Sequence, residues 1–255
     1  MHVLNMSRAQ LFASFCEPMP AKEHTALLKL LESHTEGEPL QYLTGEEQFF
    51  GRTFDVNSAV LIPRPETEEL VDEVIKQVQS FFEGQKPLRI VDVGTGSGII
   101  AVSLACAFPD AEVWAIDISE EALAVAERNA KRHQANVHFL QGDLLSPFIA
   151  KELKAHVVVS NPPYIAEEEW IGLDMTVRDH EPKRALCAGV DGLDMYRTLC
   201  TQLPVVLTPT GMVAFEVGFT QGKAVRDMLS QSFPNAHVRV NRDINGLDRI
   251  VLATH

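Results

Sequence analysis

Residues 88–94, Leu88-Arg89-Ile90-Val91-Asp92-Val93-Gly94, lead straight into the turn Gly94-Thr95-Gly96-Ser97-Gly98 and then into Ile99-Ile100-Ala101-Val102-Ser103-Leu104-Ala105. A short apolar run, alternating glycines and a longer apolar run read as strand, tight turn and helix. Together they open a nucleotide-binding βαβ unit. Glycine lets the backbone approach a ligand without a Cβ in the way. The next apolar run, Glu112 to Ile116, ends at Asp117. An acid there can accept both hydroxyls of a ribose. It can also simply precede a helix, since Ser119-Glu120-Glu121 follows. Strands are expected near 88–93, 112–117, 137–141, 156–160, 211–217, 237–242 and 249–253. Helices are expected near 97–107, 120–133, 192–206 and 221–232. Such alternation implies a parallel sheet with helices on both faces.

The glycine turn is not the dinucleotide fingerprint. The third glycine of G-x-G-x-x-G would fall at position 99, which is Ile99. A tighter G-x-G-x-G turn with Asp92 just before it suits a ligand lacking phosphates. A Walker loop is also missing, because Gly218-Phe219-Thr220-Gln221-Gly222-Lys223-Ala224 is one residue short and has no hydroxyl residue after the lysine.

Asn161-Pro162-Pro163-Tyr164 follows the apolar run Val157-Val158-Val159-Ser160. It therefore lies where a strand meets a loop, at the sheet edge where open α/β proteins bind ligands. Two prolines fix the backbone, so the Asn161 amide oxygen and the Pro162 carbonyl can aim at one point. Tyr164 adds a flat face. Two acceptors and a ring suit a planar –NH2 group. The plainer reading is a turn, since Asn-Pro and Pro-Pro are common loop punctuation.

Composition narrows the field. A chain of 255 residues supports one full domain plus a smaller one. A net charge of −13 argues against a broad cationic surface for nucleic acid, so no direct DNA binding is expected. The cysteines, at 16, 106, 187 and 200, form no C-x-x-C pair; Cys106 and Cys200 sit in apolar segments and are expected to be buried. This pattern fits a reducing compartment. The histidines show no metal-ligand spacing, so no metal is expected. The stretch Leu11–Phe15 is too short for a signal peptide, and Val93–Pro109 reads as turn plus helix and not a membrane span. A cytoplasmic monomer is expected.

Ahead of the α/β body lies a small helical segment, 1–45, with Leu27, Leu28, Leu30 and Leu31 on one short amphipathic helix. Residues 46–64 hold a β-hairpin linker around Gly51. Pro65 then opens a long helix carrying Leu70, Val71, Val74, Ile75, Val78, Phe81 and Phe82 as its apolar stripe, ended by Gly84. Residues 65–255 form the main domain.

Val91–Gly98, the acid at 117 and Asn161-Pro162-Pro163-Tyr164 together resemble class I S-adenosylmethionine-dependent methyltransferases that act on planar nitrogen. Glu38-Pro39-Leu40-Gln41-Tyr42-Leu43-Thr44-Gly45 and Leu61-Ile62-Pro63-Arg64-Pro65-Glu66-Thr67-Glu68 are similar to the signature of protein-glutamine N5-methyltransferases that modify peptide chain release factors. The resemblance implies an α/β fold: a class I methyltransferase Rossmann-like sheet, mostly parallel with one antiparallel strand, supplied by Arg249-Ile250-Val251-Leu252. A small N-terminal helical domain would precede it. The resemblance also implies S-adenosyl-L-methionine as cofactor, held by Gly94, Thr95, Gly96, Ser97, Gly98, Asp117, Asp143, Leu144 and Asn161. Asp143 would accept from the adenine amine and Leu144 would pack on the ring, although Gly142-Asp143 also reads as a surface turn. Asn161, Pro162 and Tyr164 would be catalytic and, with Pro163, would bind the substrate glutamine of a release factor. Pro63-Arg64-Pro65-Glu66 reads equally as a hinge or a contact, and Glu216 as pocket floor or helix start. A ribosomal-protein glutamine, or less fittingly an adenine amine, are alternative acceptors. A non-catalytic binding module is a further alternative, and an intact Asn161 and Tyr164 argue against it.

Overall fold

The structure is a computed structural model that describes residues 1–84 and 87–255. Helices α1 (Arg8–Ala13), α2 (Ala21–Thr35) and α3 (Leu40–Thr44) form the head. Ser7 and Gln10 cap α1 reciprocally, each side chain bonding the other's backbone. None of the three helices buries a residue fully. The head is tied down through Tyr42, whose hydroxyl donates to the Val60 carbonyl at 2.5 Å. The Tyr42 ring packs against Val56, Val60, Ala122 and Val125.

Strands β1 (Glu46–Phe49) and β2 (Arg52–Asp55) pair antiparallel as the expected hairpin. Its turn residues Phe50 and Gly51 both have positive φ, 49° and 71°, the handedness that matches strand twist. That conformation is costly for phenylalanine, and Glu68 holds it by accepting the Phe50 N–H at 2.8 Å. Phe49 and Phe54 turn into the core. Helix α4 (Pro65–Phe81) starts at its proline with Glu66 and Glu68 in the first turn, where the helix dipole favours acids. It buries Thr67, Leu70, Val71, Val74 and Val78. Phe81, expected on that stripe, is exposed.

The body continues with β3 (Arg89–Val93), α5 (Ile99–Ala107), β4 (Glu112–Asp117), α6 (Glu120–Arg132), β5 (Val137–Gln141), α7 (Ser146–Ala150), β6 (Ala155–Ser160), α8 (Met175–Arg178), α9 (Asp194–Val206), β7 (Leu207–Glu216), α10 (Gly222–Ser232), β8 (His237–Arg242) and β9 (Asp248–Thr254). The large sheet runs β5-β4-β3-β6-β7-β9-β8. β3 to β7 are parallel, while β9 pairs antiparallel with both β7 and β8. The expected mostly parallel sheet and its one reversed strand are both present. One apolar core lies under α4, α5 and the hairpin, the other under α7, α9 and α10. Ile90 and Val91, neighbours on β3, belong to different cores, as alternation along a doubly covered strand requires.

Some details differ from the sequence reading. Helices α7 and α8 and the 3-10 turns at 170–172 and 183–185 are additional. They are too short to show a helical period. Strand β7 starts at Leu207, ahead of the expected 211, because Ala155 already pairs there before a register shift. Cys106 is only half-buried, whereas Cys200 is buried as expected.

The register positions the site. Val93 lies opposite Ile116 on one side and Ser160 on the other, and Ser160 lies opposite Phe215. The next residues, Gly94, Asp117, Asn161 and Glu216, therefore leave adjacent strands in one row at the carboxyl edge. The order of strands reverses direction between β3 and β6, the switch point where such sheets open a crevice.

Candidate functional site

A cavity of about 330 Å³ opens along this row. The glycine turn, Asp117, Asp143, Leu144, Asn161 and the segment Ala59–Arg64 with Thr67 form its walls, and Pro182, Arg184 and Cys187 close one side. The turn is held from below. The N–H groups of Gly94 and Thr95 both donate to the Ile116 carbonyl, at 2.8 and 3.0 Å. Asp117 accepts the Gly96 N–H through one oxygen and the Ser119 N–H through the other, both at 2.9 Å. Each oxygen retains a further lone pair beside the cavity.

Gly96 has φ of 54°, and a Cβ built there meets nothing within 4 Å. The backbone thus presents an open cradle that a side chain would occupy. Gly98 serves packing instead, since its Cβ would lie 3.0 Å from Ala126 Cβ on α6. Thr95 and Ser97 line the cavity but are themselves buried. The Thr95 hydroxyl donates to Asp92 at 2.6 Å, and the Ala101 N–H donates to the same oxygen at 3.1 Å. Asp92 is fully buried with its other oxygen unpaired. Burial pushes its carboxyl up to about 7.

Leu144 sits in the cavity wall with φ of 47°, a left-handed backbone unusual for leucine. Such strain concentrates at ligand clamps. With Asp143 beside it, and Ile99, Ile116 and Ile118 along the wall, the far end of the cavity is an apolar slot with one acid. An adenosyl group fits these features: a carboxylate with spare lone pairs, a Cβ-free turn, and an apolar stretch of wall edged by a second carboxylate.

At the near end stands the diproline corner. Asn161 and Pro163 line the cavity, and Pro162 is buried. The Asn161 amide nitrogen donates to Thr67 Oγ1 at 3.0 Å, and Thr67 donates to Glu216 Oε2 at 2.7 Å. Neither the Asn161 amide oxygen nor the Pro162 carbonyl accepts a hydrogen bond from any described residue. Tyr164 does not line the cavity itself. Its ring packs beside Gly218 and the core under α9 and α10, and its backbone carbonyl accepts from Gln221 at 2.8 Å. Burial, with the Glu216 charge nearby, pushes its hydroxyl up to about 12. Glu216 likewise stands behind Asn161 and not on the cavity floor.

Three contributors carried no sequence expectation. Glu181 accepts the Ile62 N–H at 3.1 Å and pairs with Arg64 at 2.5 Å, so the Pro63-Arg64-Pro65-Glu66 segment is both contact and clasp. Asn129, fully buried on α6, bonds both backbone groups of Asp55 and the Ser97 carbonyl. It stitches the hairpin to the glycine turn. Thr67 joins α4 to Asn161. For Glu181 the available signal was the 161–190 stretch, whose length without clear periodicity marks a functional loop; Asn129 and Thr67 lie inside helices, where no such signal exists.

The chain is similar to known proteins over nearly its whole length. A family model described as methyltransferase small domain matches residues 68–176, and one described as PrmC N-terminal domain matches residues 1–45. Crystal structures of a methyltransferase from Pyrococcus furiosus (TM-score 0.56, 16% identity, 92% of this chain and 98% of that one) and of a SAM-dependent methyltransferase from Agrobacterium tumefaciens (TM-score 0.53, 14% identity, 82% and 68%) share the fold. A release factor glutamine methyltransferase from Bacillus anthracis is 49% identical over 252 residues, covering 99% of this chain and 89% of that protein. One from Bacillus subtilis is 49% identical, covering 97% and 86%. With identity of 49% over nearly the whole chain, the chain belongs to the release factor glutamine methyltransferase family.

Proposed function

We propose that this protein transfers a methyl group from S-adenosyl-L-methionine to the side-chain amide nitrogen of the glutamine in the Gly-Gly-Gln motif of peptide chain release factors. One observation carries the site chemistry: two neighbouring oxygens, on Asn161 and Pro162, have no donor among the described residues. The Asn161 side chain lines the cavity, and a carboxamide –NH2 carries two N–H donors, one for each oxygen.

Gly94, Thr95, Gly96 and Ser97 would hold the cofactor, with Gly98 packed against α6 behind them, Asp117 on its ribose and Asp143 and Leu144 at its base. When bound, it supplies a methyl group on a sulfonium centre, which leaves readily. The rest falls to the protein. An amide nitrogen is a poor nucleophile because its lone pair is delocalised into the carbonyl. Asn161 and Pro162 each accept one of its hydrogens, fix the plane of the group and direct its nitrogen. Positive charge developing on that nitrogen is stabilised by the same two oxygens, an oxyanion hole with the sign reversed, and the methylated nitrogen then gives up one of its two N–H protons to water, which leaves a neutral amide. Pro163 and the ring of Tyr164 hold the corner rigid.

The same reading takes the protein to work in the cytoplasm as a monomer, on protein and not DNA. Its net charge of −13 supports the last point. The test is direct. Purified protein and labelled cofactor are offered release factor, ribosomal protein or DNA. A gain of one methyl on the Gly-Gly-Gln glutamine is expected; label appearing only in ribosomal protein or DNA would overturn the assignment.

A further inference from the structure

We propose that Thr67 and Glu216 are positioning residues that decide which end of the Asn161 amide faces the substrate. This rests on the reading of Asn161 as acceptor of the substrate N–H.

The two ends of an asparagine side chain have nearly the same shape, yet only its oxygen can accept an N–H. Something must choose. Thr67 has a single hydroxyl hydrogen, and it points to Glu216 Oε2 at 2.7 Å. Having donated, Thr67 Oγ1 can only accept, and the Asn161 nitrogen fills that place at 3.0 Å. The amide oxygen is thereby turned away from α4, free of any donor among the described residues.

The direction of this relay starts at Glu216. As a carboxylate it accepts and cannot donate. A neutral donor at that position could give its hydrogen to Thr67. Thr67 would then donate to the Asn161 oxygen, and the amide would reverse, meeting an –NH2 with an –NH2. Arg249 opposes that outcome. It is held by Asp243 at 3.2 Å, and its charge adds to the hydrogen bonds of Thr67 and Asn161 in favouring ionised Glu216, against the larger penalty of burial. The fold brings the members together at one edge of the sheet. Asn161 and Glu216 are next-in-row on paired strands, and Thr67 occupies the first turn of α4 above them. Thr67 and Glu216 are each 1% exposed, so water does not substitute for either.

The experiment compares Thr67→Val, Thr67→Ser and Glu216→Gln in the parent and in an Asn161→Ala background. Turnover with release factor, KM and cofactor Kd are read together. Thr67→Val and Glu216→Gln should each lower kcat by about tenfold or more, with cofactor Kd within about threefold of parent. Thr67→Ser, which keeps the hydroxyl, should stay within about threefold. In the Asn161→Ala background Thr67→Val should cost nothing further, since its effect passes through Asn161. Losses that multiply in the double variant, or parent-like turnover by Thr67→Val, overturn the proposal.

A second readout needs no acceptor. The Asn161 side-chain NH2 resonances, identified by their disappearance in Asn161→Ala, should shift and lose exchange protection in Thr67→Val. Unchanged resonances overturn the relay. A parent protein that fails to methylate release factor overturns the assigned reaction instead, while these resonances still decide the relay.

Discussion

Asp117→Ala tests the cofactor end of the site. In the structure each Asp117 oxygen already accepts one backbone N–H, from Gly96 and from Ser119. The remaining lone pairs border the cavity. A ribose diol would add two hydrogen bonds to a charged acceptor, each worth roughly 1.5–3 kcal/mol. Asp117 is only half-buried, so the lower figure applies, and the pair amounts to about 3 kcal/mol. At about 1.4 kcal/mol per decade, cofactor binding should weaken roughly 150-fold. Titration calorimetry with S-adenosylhomocysteine measures this directly. Released from Asp117, the Gly96 and Ser119 amides turn to water, and the melting temperature should fall by only a few degrees, the effect of about 1 kcal/mol. At saturating cofactor kcat should be nearly preserved, because the diol bonds are present in ground and transition states alike. Binding within about threefold of the parent, in a folded variant, would refute the ribose assignment.

Asn161→Ala should lower kcat by about 10²-fold or more while cofactor Kd moves little, read from steady-state kinetics and calorimetry. Arg64→Met leaves Glu181, 5% exposed, without its cation. Chemical denaturation should show a loss of about 3 kcal/mol, and a weaker grip on cofactor should follow from the loosened 182–187 wall. Asn129→Leu strands the Asp55 backbone groups and the Ser97 carbonyl; a loss of about 3 kcal/mol is expected in the same measurement. Acidity should act on stability and activity in opposite directions. Burial pushes the Asp92 and Glu216 carboxyls up to about 7. Between the ordinary carboxylate range and that value the folded protein binds more protons than the unfolded chain, so these groups make the fold less stable as pH rises. Activity should instead decline as pH falls through 7, when Glu216 loses its charge. The groups around Glu216 are Glu66 and Thr67 on α4, Asn161 and Tyr164 after β6, and Arg249 on β9. Tyr196 on α9 donates to its backbone carbonyl. An unchanged acidic limb in Glu216→Gln would sever that link.

The parallel sheet, the glycine turn and the order of helices were legible in the residues, because each rests on local chemistry. Apolar runs of strand length, glycines where φ turns positive, Pro65 and acids at the start of α4: these need no partner distant in sequence. The same holds for Asp117 and Asn161, which stand at strand ends whatever the rest of the chain does. The short helices α7 and α8 were not legible, since a single turn shows no period. Nor was the exposure of Phe81, which depends on where α4 stops against the sheet. Tyr164 could be named but not placed, because its ring follows a core built from α9 and α10. The pairing of Glu181 with Ile62 and Arg64, of Asn129 with Asp55, and of Thr67 with Glu216 spans 74 to 149 residues. Only the folded sheet brings such groups within hydrogen-bond reach. The sequence by itself determined which chemical groups stand at the sheet edge. Tertiary structure alone decided which way they face, because the orientation of a buried amide is set by the donors and acceptors that packing puts beside it.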